Sequence, residues 1–134
     1  MNVETKQFYV FGPFRIDPEE RVLVRDGSPV ALGPKVFETL FLLVQNAGHL
    51  VDKEDLIKRV WPDAFVEEGN LNKHIFVLRK TLGQHDGGLE YIETVPKRGF
   101  RFVAPVDRVV KERGSSEIIK QIIISVMKMQ PFAT

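Results

Sequence analysis

Residues 70–83 read NLNKHIFVLRKTLG, and the spacing of their apolar members defines a helix and tells which side of it is buried. At about 100° per residue, Leu71, Ile75, Leu78 and Leu82 fall within a narrow arc that must face a core. The opposite arc carries Lys73, Phe76, Val77 and Lys80, flanked by Asn70, Asn72 and Arg79. The spacing predicts a helix over about 70–82, with its N-cap on Gly69 or Asn70 and with Gly83 free to adopt the left-handed conformation that closes a helix. The window contains Lys73, Arg79 and Lys80 and no acidic residue.

Downstream, residues 84–88 read as a loop. The segments around 91–95 and 100–103 read as two strands joined across Pro96-Lys97-Arg98-Gly99, a hairpin with a basic tip. Residues 94–106 again contain basic side chains, Lys97, Arg98 and Arg101, and no acid. Upstream, Asp52 is an N-cap candidate for a short helix with Leu56, Ile57, Val60 and Trp61 on one side, which Pro62 must end. Before it, Gly33-Pro34 opens a helix with Pro at its first position, carrying Val36, Phe37, Leu40, Phe41, Leu43 and Val44 at helical spacing, and Gly48 is a plausible stop. The first 32 residues contain β-branched and aromatic segments divided by Gly12-Pro13, Asp17-Pro18 and Asp26-Gly27, the pattern of strands joined by tight turns. The expected fold is α+β: a winged helix-turn-helix with an N-terminal antiparallel β-sheet, a three-helix core and a C-terminal β-hairpin wing.

Composition agrees with one small domain. The chain has 134 residues, 43% of them hydrophobic, with ten Phe to build a core. The absence of Cys excludes disulfides, thiolate nucleophiles and sulfur-ligated metals. His49, His74 and His85 are too scattered to suggest a metal site, so no metal and no cofactor are expected. The N-terminus lacks an apolar signal core, and Lys or Gln interrupts each apolar run well short of the ~20 residues of a membrane span, so a cytoplasmic location is expected. No GxGxxG, Walker loop, HExxH or nucleophile elbow is present, which argues against an enzyme.

Net charge is +1, but its distribution is uneven. Residues 1–69 carry 8 basic and 12 acidic side chains, net −4, whereas residues 70–104 carry 6 and 3, net +3. Basic groups gathered on one helix and one hairpin tip suit double-stranded DNA: a helix fits the major groove, and Lys and Arg meet phosphates. A competing reading takes the fold as a protein-docking module, with Phe76 and Val77 as its hydrophobic contact.

Three segments in order carry a family resemblance: Leu56-Ile57-Lys58-Arg59-Val60-Trp61, then His74-Ile75-Phe76-Val77-Leu78-Arg79-Lys80-Thr81-Leu82, then Tyr91-Ile92-Glu93-Thr94-Val95 leading through Lys97-Arg98-Gly99-Phe100-Arg101-Phe102. Over residues 11–106 the chain resembles the OmpR/PhoB-type DNA-binding domain of bacterial response regulators in phosphorelay signalling and of one-component regulators similar to CadC and ToxR. The resemblance implies that Asn70, Lys73, His74 and Arg79 touch bases or phosphates, that Thr94 meets the DNA backbone, and that Lys97 and Arg98 approach the neighbouring minor groove. Phe76 and Val77 stand where many relatives have Arg or another polar residue, implying a more apolar, methyl-reading surface, and Pro96 likewise replaces a position that is sometimes Arg. The resemblance also implies that the loop 62–69, with Asp63, Glu67 and Glu68, contacts RNA polymerase, and that two copies bind tandem direct repeats. Glu67 and Glu68 equally suit the positive end of the following helix. Trp61, Phe65, Phe37, Phe41, Phe100 and Phe102 are expected in the core.

The domain is expected to occupy 1–106, followed by a linker at 107–117 and an amphipathic tail at 118–134. In the tail, Ile118, Ile119, Ile122, Ile123, Val126 and Met127 suit a helix, and the β-branched run also suits a strand. A receiver domain would need about 100 further residues ahead of this one, so control is expected to lie in another chain, a missing region or expression level.

Overall fold

Turns at Gly12-Pro13, 18–21 and Asp26-Gly27 cut the start of the chain into β1 (Thr5–Phe11), β2 (Phe14–Asp17), β3 (Val22–Arg25) and β4 (Ser28–Val30). The structure, a computed structural model, describes residues 5–85 and 87–112. The second turn is held by the Asp17 carboxylate, whose Oδ1 accepts the N–H groups of Glu19 and Glu20 at 3.1 and 3.2 Å. Next come α1 (Pro34–Gln45), β5 (Leu50–Asp52), α2 (Lys53–Val60) and α3 (Glu68–Leu82). A small ribbon of β6 (Gln84–His85) and β7 (Leu89–Glu90), the hairpin of β8 (Ile92–Val95) and β9 (Gly99–Phe102), and a last strand, β10 (Asp107–Glu112), complete it.

The larger sheet has the order β10-β1-β2-β3-β4 and is antiparallel throughout. Its inner face presents Tyr9, Phe11, Phe14, Ile16 and Leu23 to Phe37, Leu40, Leu43 and Val44 of α1 and to the other helices. The four residues Leu71, Ile75, Leu78 and Leu82 of α3 are all buried, as their spacing requires. Phe11, Phe14, Tyr91 and Phe102 join sheet to wing through edge-to-face and tilted ring contacts, with centroids 5.0 Å apart at the closest pair, Phe11 and Phe102.

Four local expectations are corrected. Residues 107–112, expected to start the linker, form β10 and pair with β1 in continuous register from Val10↔Asp107 to Thr5↔Glu112. Their charges conceal a strand: the Arg108 guanidinium lies 5.3 Å over the Tyr9 ring and donates to its hydroxyl at 3.1 Å, covering an edge that would otherwise lie open. The rest of the expected linker and the tail 118–134 lie outside the described residues. Residues 84–88 are not a plain loop, because Gln84–His85 pairs with Leu89–Glu90. The helix α3 starts at Glu68 with Glu67 as its N-cap residue, earlier than Gly69 or Asn70; the Glu68 carboxylate favours the positive helix end and bonds Lys53 Nζ at 3.1 Å. Finally, the wing is three-stranded, in the order β5-β9-β8.

Among the described residues, no helix is long and apolar enough to cross a membrane.

Candidate nucleic-acid interface

The outward face of α3 follows from what its inward face buries. With Leu71, Ile75, Leu78 and Leu82 turned to the core, Asn70, Asn72, Lys73, Phe76, Val77 and Lys80 are left exposed. Phe76 retains 60% of its accessible surface and Val77 42%. Lys80 Nζ lies 4.9 Å over the Phe76 ring, one helical turn away, so a cation and an aromatic face share the centre of the strip.

Four candidate residues, His74, Arg79, Thr94 and Arg101, have partners within the domain instead. The half-buried His74 faces α1: its Nδ1 lies 3.3 Å from Thr39 Oγ1, and its ring packs on Trp61 at 4.9 Å between centroids. Burial lowers its pKa from 6.5, which favours the neutral ring. Its direction corrects the expectation of a DNA-facing His74, because position 74 lies between the buried arc and the exposed strip. Arg79 is also half-buried, its Nη2 donating to Thr94 Oγ1 at 2.8 Å and to the Ile92 carbonyl at 3.0 Å. It braces α3 against β8, and Thr94 is its partner. Arg101 Nη1 pairs with Glu93 Oε1 across the wing at 3.0 Å.

The wing turn brings Lys97 and Arg98 to an exposed tip. The Arg98 N–H donates to the Val95 carbonyl at 3.0 Å, closing a four-residue turn with Pro96 second and Lys97 third. Lys97 has φ +67°, the left-handed value that a type II turn requires at its third position and that Gly normally supplies. Behind the tip, β9 comes so close to β5 that a Cβ on Gly99 would collide with the Val51 carbonyl oxygen and the backbone of Asp52 and Lys53. Only Gly permits this approach, and it lets the Lys53 N–H donate to the Arg98 carbonyl at 3.0 Å. Lys53 therefore ties the wing tip by its backbone and the start of α3 by its side chain, while Arg79 ties the wing to the other half of α3. Lys53 was not among the sequence candidates, since a three-residue strand such as β5 has too short a pattern to show its pairing.

The connection between α2 and α3 is more open. Trp61 is half-buried against His74, but Phe65, expected in the core, is fully exposed. Asp63, Glu67 and Glu68 are exposed beside it, and Glu68 alone of the three has a described ion pair, with Lys53. The sequence gives no warning for Phe65, because an aromatic in a seven-residue stretch without periodicity carries no facial signal. Among the described residues, no group of three or more His, Asp or Glu side chains is placed to hold a metal ion.

Comparison with known proteins agrees with this arrangement. The family model described as Transcriptional regulatory protein, C terminal, matches residues 27–102. The chain is 38% identical over 104 residues to the Transcriptional regulator HilA of Salmonella typhimurium, covering 78% of this chain and 18% of that protein. It is 31% identical over 104 residues to the Transcriptional activator CadC of Escherichia coli, covering 77% of this chain and 20% of CadC. It thus spans about a fifth of the length of these curated relatives. Among solved structures, the DNA-binding domain of E. coli CadC superposes with a TM-score of 0.66 at 28% identity, covering 78% of this chain and 98% of that one. The Klebsiella pneumoniae RstA DNA-binding domain, solved in complex with the RstA box, gives a TM-score of 0.60 at 28% identity, covering 72% and 96%. With the family match spanning more than half its length and the three helices and wing in the family's order, the chain belongs to the OmpR/PhoB-type family of transcriptional regulatory protein C-terminal domains.

Proposed function

We propose that this domain binds double-stranded DNA and regulates transcription, with α3 in the major groove and the wing tip on the neighbouring backbone and minor groove. The observation that carries the reading is the double tie of Lys53 and Arg79, which links the helix bearing the exposed strip to the wing bearing the basic tip. A duplex is a rigid partner with a repeating spacing of groove and phosphate, and a rigid two-part surface suits it. Lys73 and Lys80 on the helix and Lys97 and Arg98 on the tip are the phosphate contacts, Asn70 and Asn72 are groove-facing polar groups, and Arg79 and Thr94 act by positioning the wing. The acids Asp63, Glu67 and Glu68 with Phe65 form a surface for RNA polymerase, and a second copy occupies the adjacent direct repeat.

Salt dependence tests the reading. Four phosphate contacts at about −0.9 each predict a log-log slope of binding against salt of roughly −3 to −4. Replacing Lys97 and Arg98 together by Ala should remove up to about 2 from that magnitude and weaken all sequences alike. A slope near zero for the unmodified chain would reject DNA as the partner.

A further inference from the structure

We infer that Phe76 and Val77 recognise the 5-methyl groups of thymine, so that each bound site contains thymine at two neighbouring base pairs. The inference rests on the DNA-binding reading and adds to it the class of sequence selected. Folding does not account for these side chains: the core-facing arc of α3 is already complete with Leu71, Ile75, Leu78 and Leu82, yet Phe76 and Val77 stay 60% and 42% exposed among Asn70, Asn72, Lys73 and Lys80. The Phe76 ring keeps more than half of its surface open to solvent. Lys80 Nζ lies over it, 4.9 Å from its centroid, and keeps the ring within the outward strip.

In the major groove the methyl group of thymine is the apolar feature of the base edges, whereas cytosine carries only a hydrogen at C5, beside its N4 donor. An exposed phenyl ring and an exposed isopropyl group therefore have thymine as their natural counterpart. Successive helical residues are offset by about 1.5 Å along the axis and 100° around it, so the two side chains diverge, and base pairs stacked about 3.4 Å apart place two methyls within their reach. Lys73 and Lys80, a turn to either side, are placed for the flanking phosphates.

The test uses the full 134-residue chain. Duplexes are first selected from a random library at about 0.15 M salt, where nonspecific phosphate binding is already weakened. Each thymine of the selected site is then replaced singly by deoxyuridine, which keeps every hydrogen-bonding group and removes only the methyl. Affinity should fall about fourfold at each of two neighbouring positions, the value for one buried methyl-sized group, and stay level elsewhere. Phe76→Ser should abolish the preference for thymine over uracil at one position and Val77→Ser at the other, with each variant's melting temperature confirming its fold. Salt-dependent, sequence-selective binding that ignores uracil at every position would overturn the methyl inference and leave DNA binding standing. Failure to retain any duplex, at any salt, would overturn both and assign the exposed pair to a protein surface.

Discussion

The wing and the α2–α3 connection are both short segments beside α3, yet they are built in opposite ways. The wing is tied from two sides, by Gly99 nested on the β5 backbone with Lys53 bonded to Arg98, and by Arg79 bonded to Thr94 and Ile92. In the connection, Trp61 is anchored on His74 and Phe65 then projects wholly into solvent. A segment that must meet a stiff duplex at one spacing gains from being fixed before binding, because ordering it afterwards would cost affinity. On the polymerase surface proposed above, an aromatic anchor can stay unburied until the partner supplies its pocket.

The contrast is most vulnerable at two glycines. Gly99→Ala should cost about 3 kcal/mol or more in denaturant unfolding, at or above the upper range for overpacking, because the collision is with backbone that no side-chain rotation relieves. Gly69→Ala, in the first turn of α3 with open space around its missing Cβ, should instead stabilise by about 0.5–1 kcal/mol. Equal losses at both positions would show that the wing is packed no more tightly than the start of α3 that follows the connection.

A smaller effect is expected at the second tie. Arg79→Ala removes charge-assisted bonds to a carbonyl and a hydroxyl and should lower stability by about 1.5–3 kcal/mol, while weakening DNA binding through the displaced wing. Lys73→Ala should weaken DNA binding with stability changed by less than about 0.5 kcal/mol. If the two variants lose DNA affinity with equally unchanged stability, Arg79 is a direct contact and not a brace.

At the anchored end of the connection the expected effect is a pH dependence. Burial holds the folded-state pKa of His74 below 6.5, so the unfolded chain binds more protons between that lowered value and 6.5. Stability should decline as pH falls from about 6.5 toward the lowered pKa and show no further loss from this group below it. His74→Gln cannot titrate and should flatten that part of the profile in urea unfolding; an unaltered profile would assign the dependence to other groups. The smallest effect on the isolated domain belongs to Phe65→Ser, with stability and DNA affinity changed by less than about 0.5 kcal/mol. Transcription from a bound promoter should fall in a purified polymerase assay, and undiminished transcription would remove Phe65 from the polymerase surface.

The parts of this molecule legible in the sequence are those with a repeat long enough to show a period. The helix α3 shows its buried arc four times over, and Gly33-Pro34, Asp52 and Pro62 mark the ends of α1 and α2. Strand β5 has three residues, and β10 (DRVVKE) sets one apolar pair between charged pairs, without the alternation that marks a strand, so their pairing is visible only once β9 and β1 are beside them. The candidate site divides in the same way. Exposure of Lys73, Phe76, Val77 and Lys80 follows from helical geometry, but the inward turn of His74 and Arg79 depends on Trp61, Thr39 and Thr94, which come from other elements. Sequence spacing fixes direction around one helix and says nothing of what stands opposite.

The backbone of Lys97 has a consequence for anyone improving this domain. An L-residue held at φ +67° costs about 1–2 kcal/mol relative to Gly, so the tip carries a permanent local strain. A thermostability screen conducted on the protein alone would favour Lys97→Gly and discard a charge at the outermost point of the wing. Ranking variants by melting temperature and ranking them by retention on DNA should therefore disagree at this position, and the more heat-resistant lineage would be the one that releases its operator more readily.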